Sequence, residues 1–166
     1  MRYIMIVIVM VLTCLGLSTA QAVTPYERES LARLPGVVVV IERITPEAQA
    51  DGLSEEAIHA AVELILQSSD IGILPQSETL KASSNPWLYV QPNIGKGGPH
   101  YFYNVSLRLI QKVSSVHGRQ YSMAATTWEG NTAGIVNNDD LRDVILDVIE
   151  TWVKTFANDF RTVNPR

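Results

Sequence analysis

The sequence predicts an α+β domain, a mixed sheet of about four to five strands with two amphipathic helices packed on it. Three observations carry this. Residues 36–44, GVVVVIERI, form a β-branched run of the kind found in a strand buried on both faces. Residues 101–113 alternate, with Tyr101, Tyr103, Val105, Leu107 and Leu109 on one side and Asn104, Ser106 and Arg108 on the other. That period of two is what a sheet with one packed face and one wet face requires. Two further stretches, from Ser54 through Leu66 and from Leu141 through Phe160, repeat apolar residues at three-and-four spacing, the pattern of a helix with one buried stripe.

In chain order, residues 1–22 come first. Arg2, an apolar run ending at Leu17 and the small-residue site Ala20-Gln21-Ala22 read as a secretory signal peptide cleaved after Ala22. The run is shorter than the roughly 20 residues of a membrane span, so no span is expected after cleavage. Retention as an anchor is the rival reading. Cys14 raises the alternative of lipidation, but Thr13 precedes it where Gly, Ala or Ser is usual. Residues 23–166 then make a single domain with room for a real core. That part has no cysteine, hence no disulfide, thiol nucleophile or cysteine metal site. Export without disulfides points to a bacterial envelope, periplasmic or extracellular; the sequon Asn104-Val105-Ser106 falls within an expected strand.

Pro35-Gly36 is a turn ahead of the first strand, and residues 45–52 are a polar connection. Ser54 caps a helix with Glu55 and Glu56 in its first turn, favourable at the positive end of the helix dipole. Its stripe is Ile58, Ala61, Val62, Ile65 and Leu66, and Gly72 is placed to stop it. Ile73-Leu74 begins a short edge strand, and residues 75–86 are a loop. A meander follows: a strand over 87–91, the alternating strand, a turn at 114–118 and a third strand over 120–128. Residues 130–138 read as a second loop. Asn138-Asp139-Asp140 opens the last helix, whose stripe is Leu141, Ile145, Val148, Trp152, Phe156 and Phe160, and Asn164-Pro165 ends it.

Charge narrows the partners. The chain has 13 Lys and Arg against 17 Asp and Glu, and removing Arg2 with the leader makes the balance more acidic still. The basic residues are scattered, so nucleic acid is not an expected partner. NIGKGGPH (93–100) invites a phosphate-loop reading. Such a loop joins strand to helix with Ser or Thr after the lysine. Here Gly97 follows Lys96, Pro99 lacks a donor and strands flank both sides, so a hairpin turn is expected. His59, His100 and His117 lack ligand spacing, Asp139 and Asp140 serve as caps, and the Ser and Thr pairs lack a nucleophile elbow. No catalytic, cofactor-binding or metal residue is assigned, and no cofactor is expected. Trp152 falls on a helix stripe. Trp128 is opposite in phase to Tyr121, Met123 and Ala125, which puts it on the other sheet face, as an interaction surface that anchors a partner or as the cover of an open edge.

The element order, together with the ending LRDVILDVIETWVKTFANDFRTVNP after TTW, resembles uncharacterised exported bacterial α+β proteins. In topology it also resembles the amino-terminal domain of the Tol-system propeller protein and similar envelope accessory domains. The resemblance implies fold, and no functional residue is carried over from it. The expected function is that of an exported, non-catalytic binding or adaptor domain whose partner is a protein or envelope component. The alternatives are a small hydrolase or transferase, needing His100 or His117 to converge with Asp139 or Asp140, and a purely structural role.

Overall fold

The computed structural model describes residues 23–76, 86–115 and 122–165; the expected leader over 1–22 and His117 lie outside them. Its sheet has the strand order β1-β2-β3-β4, with β1 (Val38–Ile41), β2 (Trp87–Gly97), β3 (His100–Ser114) and β4 (Ser122–Asn137). β1 runs parallel to β2, and β2, β3 and β4 form an antiparallel meander. Among the described residues the helices are α1 (Pro25–Glu29), α2 (Pro46–Ala50), α3 (Glu55–Ser68) and α4 (Leu141–Val163), the last entered through a 3₁₀ turn at Asn138–Asp140. The long helices α3 and α4 pack against each other and the sheet. This is the predicted α+β mixed sheet, with two short helices added.

Local chemistry explains the added helices. Thr24 and Glu27 cap each other reciprocally: Thr24 Oγ1 accepts from the Glu27 N–H at 3.2 Å, and Glu27 Oε2 accepts from the Thr24 N–H at 2.7 Å. Pro25 adds a preset φ at the first helical position, and together these start α1. At α2 Thr45 accepts from the Ala48 N–H at 3.4 Å and Pro46 takes the first position, so the expected polar connection contains a helical turn. Ser54 caps α3 as expected, accepting from the Ala57 N–H at 3.0 Å. Its end differs. Asp70, at φ 58°, takes the left-handed position, and Ile71 N–H bonds Leu66 O while Asp70 N–H bonds Gln67 O. Those paired bonds are a Schellman cap. Gly72 instead permits a close backbone approach. A Cβ there would press on the Pro35 carbonyl, and one at Gly36 (φ 150°) would overlap Gly72. The approach lets Val37 and Ile73 form a single parallel bridge, the short edge element anticipated at Ile73-Leu74.

Pro92 shows why β1 is short. Glu42 N–H bonds Val90 O, so even-numbered residues of β2 face β1. Pro92 is the next such position, and without an N–H it cannot extend the ladder. On the helix-covered face the core comprises Val37, Val39, Leu88, Val90, Ile94, Tyr101, Val105, Leu107, Leu109, Trp128 and Val136, met by Ile58, Val62 and Leu66 from α3 and by α4. The expected period of two in β3 is therefore present.

Residues 130–138, read as a loop, are mostly strand: β4 continues to Asn137. Gly130 and Gly134 would weaken a bare strand, yet both are covered by neighbours. A Cβ at Gly130 would overlap the Trp152 ring, and one at Gly134 would overlap the Tyr103 phenol. Aromatic rings lying over strand glycines supply the packing that the glycines lack. Along α4 the buried line is Leu141, Ile145, Ile149, Val153, Phe156 and Ala157. Trp152 and Phe160 flank that line, partly exposed. At the helix end, Asn164 accepts from the Arg33 N–H at 2.7 Å and donates to Leu31 O at 3.0 Å and Phe160 O at 2.9 Å, fastening the segment after α1 to the end of α4.

Candidate functional site

The glycine-rich stretch is a hairpin. Gly97 pairs with His100 across Gly98-Pro99, and Gly98 has φ 64°, at a loop position where glycine is favoured. Strand β3 follows, where a phosphate loop would need a helix. Lys96 is engaged: its ammonium donates to Asp51 Oδ2 at 2.6 Å and lies 5.1 Å from the Tyr101 ring centroid. The Tyr101 hydroxyl donates to the same oxygen at 2.7 Å. The hydrogen bonds from Lys96 and Tyr101 hold the Asp51 carboxyl below its ordinary range. Because the folded value is the lower one, Asp51 contributes fully above the unfolded value of about 3.9. That contribution is lost as pH falls through the depressed folded value. Asp51→Asn should therefore melt below the parent at pH 7, and the gap should narrow once melts are repeated below the unfolded value of about 3.9. A gap independent of pH would refute this linkage.

Trp128 is fully buried, which corrects its expected place on a partner-binding surface. Thr126 pairs with Ile110 and Trp128 with Leu109, so Thr127 is an additional residue, a β-bulge. The bulge resets the phase and turns Trp128 back under the helices, on the side of Ala125 rather than opposite it. Gln111 Nε2 bonds Thr127 Oγ1 at 2.7 Å, and Ser30 Oγ bonds Thr127 O at 3.2 Å, holding the bulge. The indole N–H donates to Asp159 Oδ2 at 3.0 Å, and Asp159 Oδ1 accepts from Arg28 Nε at 2.9 Å. Phe156 and Trp152 meet the Trp128 ring edge-on, at 5.2 and 6.5 Å between centroids.

The two described histidines, His59 and His100, sit on different elements. His59 lies 3.5 Å from Glu63 on α3. His100 shares a shallow cleft of ≈ 600 Å³ with Asp140, Asp143 and Asp147. Among the described residues no hydrogen bond or ion pair joins His100 to these carboxylates, and no group of three His, Cys, Asp or Glu is arranged to hold a metal.

The face of the sheet away from α3 and α4 carries a denser constellation. Register places Val40, Tyr89, Arg108 and Glu129 in one row, with Gln91, Ser106 and Asn131 in the next. The Arg108 guanidinium lies 5.4 Å from the Tyr89 ring centroid, a cation–π distance, and bonds Gln91 Oε1 through Nη2. Glu42 lies just beyond the end of β1. Burial, and then the Glu42 charge, push the Tyr89 hydroxyl above its ordinary pKa. Two buried atoms here have no partner among the described residues, Arg108 Nε and Glu42 Oε2. Glu129 stands opposite Arg108, yet no ion pair joins them among the described residues. Exposed apolar side chains bracket this centre: Trp87 at one end, and the cross-strand pair Phe102 and Ile135 at the other. A guanidinium, a phenol, a carboxylate and amides among exposed aromatics can recognise a ligand. The alternation over 101–113 places Arg108 on the wet face but says nothing of its neighbours. The pre-proline position of Gln91 and the one carboxylate in GVVVVIERI were the available signals.

Among the described residues no helix is long and apolar enough to cross a membrane. No family model matches the chain, and no curated protein does. Solved structures do match in outline. The chain is similar to the PelC dodecamer from Paraburkholderia phytofirmans in two crystal forms. In space group C2, as a point variant, it is 16% identical with a TM-score of 0.43, covering 74% of this chain and 88% of that one. In space group P6 it is 16% identical with a TM-score of 0.41, covering 74% and 87%. At these values the likeness carries no information on ligand or partner.

Proposed function

We propose that the chain is an exported, envelope-associated binding or adaptor domain without catalytic activity, and that it recognises its partner through the open sheet face centred on Arg108. The observation that supports this most is the buried Arg108 Nε with no acceptor among the described residues, on a face bracketed by Trp87, Phe102 and Ile135. Arginine and large aromatics are the residues that dominate binding hot spots, and an unpaired buried donor is costly until something accepts from it. A partner presenting a carboxylate or carbonyl oxygen between apolar groups would fit this arrangement.

The test is capture from the protein's own envelope, comparing the parent with Arg108→Ala and Phe102→Asp. Each substitution should weaken capture of the same partner about tenfold or more while leaving the melting curve in place. Equal capture by all three would reject the face. In the same preparation the intact mass should begin at Val23. A mass retaining residues 1–22, or a lipid on Cys14, would reject the processing. One observation favours the hydrolase or transferase alternative: His100 and Asp140 line one cleft. Turnover of any substrate, abolished by both His100→Ala and Asp140→Ala, would favour that reading instead.

A further inference from the structure

Among the described residues β4 closes one side of the sheet and pairs with β3 alone. Its backbone directions follow from the ladder. Val38 N–H bonds Pro86 O and Glu42 N–H bonds Val90 O, so even residues of β2 bond β1 and odd residues bond β3. Carried through the pairs Tyr89–Arg108 and Leu107–Gly130, the alternation gives the even residues of β4 to β3. The odd ones, Glu129, Asn131, Ala133, Ile135 and Asn137, point their N–H and C=O groups outward. Thr127 O, just before them, is taken by Ser30. Among the described residues the outward backbone groups of the other five have no hydrogen-bonding partner.

Natural sheets blunt such edges with charge, proline, bulges or a cover. Here the bulge and Ser30 protect only the Thr127 end. Residues 130–138, GNTAGIVNN, contain neither charge nor proline. On the open face Ile135 is 65% exposed beside Phe102 at 55%.

We infer that a second copy of this chain pairs antiparallel with this edge, about a two-fold axis through Ala133. The free span 129–137 is centred on Ala133. The rotation therefore sets Ala133 against itself, Asn131 against the second copy's Ile135, and Glu129 against the second copy's Asn137. Every such pair joins outward-facing residues, about ten hydrogen bonds in all. The only charged residue of the span meets an amide, so no like charges are opposed. A foreign strand would find the same backbone groups, but only a copy matches length, centre and charge by symmetry. One strand seam is smaller than the roughly 1,200 Å² of stable complexes, so the dimer is reversible. The two readings share the exposed Ile135, but Arg108 lies on the face of β3, away from the seam, so Arg108→Ala and Ala133→Pro separate them.

Sedimentation of the full chain from about 1 to 500 µM, a range around micromolar affinity, should show the mass rising from one chain to two. Ala133→Pro removes an outward N–H without touching the bonds to β3, and Ile135→Lys adds an edge charge. Both should raise the half-dimer concentration at least tenfold, whereas Arg108→Ala should dimerise like the parent. In a Cys14→Ser background, Ala133→Cys should oxidise to a covalent dimer, since paired Cα atoms at the axis lie about 5.5 Å apart. Glu129→Cys should not, its copies being some 26 Å apart at strand rise. A parent that stays a single chain throughout would overturn the inference, even if a foreign segment binds the edge. So would both edge variants dimerising like the parent, or Glu129→Cys cross-linking as readily as Ala133→Cys.

Discussion

Replacing Trp128 by alanine is expected to cost about 3–5 kcal/mol, the range for emptying a packed indole site. The ring is completely buried and touches Trp152 and Phe156, so the void is walled by groups held elsewhere: Trp152 by its bond to Thr132, and Phe156 by the helix line. Collapse into the space is therefore limited. A second loss accompanies it, because Asp159, 4% exposed, keeps only Arg28 once the indole N–H is gone. Trp128→Phe separates the two effects. It retains most of the packing, leaves the carboxylate short of one donor and should cost about 1–3 kcal/mol. For a domain of this size the alanine variant should melt roughly 10–20 °C lower. Denaturant melts giving less than about 1 kcal/mol for Trp128→Ala would mean that the residue is not a core element.

Ending the chain before Leu141 should abolish folding altogether. α4 brings Leu141, Ile145, Ile149, Val153 and Phe156 onto the sheet, each exposed by 1% or less. At roughly 1.5–3 kcal/mol per fully buried large side chain, their sum is of the order of a domain's whole stability, about 5–15 kcal/mol. Removing them also uncovers Trp128, Val105, Leu107 and Leu109 on the sheet, an apolar surface that would drive aggregation. The expected product is insoluble, or soluble without a cooperative transition. A truncated chain that melts cooperatively would show that α4 is a detachable element docked on an independently stable sheet.

The parts legible in the sequence are those whose signal is periodic and local. The alternation from Tyr101 to Leu109 and the α3 stripe of Ile58, Val62 and Leu66 needed only neighbouring residues. The Trp128 error arose because nothing in AATTW marks Thr127 as an additional residue. The bulge is fixed by Ser30 and Gln111, 97 and 16 positions away. Gly130 and Gly134 looked like loop residues because the rings that cover them come from Trp152 and Tyr103. α1 was readable and overlooked: Thr24-Pro25-Tyr26-Glu27 is a capping box with proline in first place. The Arg108 constellation draws Glu42, Tyr89 and Gln91 from other strands, and only the register of three strands assembles it.

The fastening of Asn164 to Leu31 and Arg33, with the Arg28–Asp159 pair, also bears on the order in which the molecule can form. These contacts span 131 and 133 positions, so the part of the domain synthesised first meets its partners last. Within residues 24–34, the bonds of Arg28, Leu31 and Arg33 must wait until the end of α4 has been made, although Ser30 can already meet Gln111 and Thr127. Such long-range closure slows folding. A chain halted anywhere before Asp159 is committed to an open amino-terminal end, accessible to whatever factor receives it during synthesis.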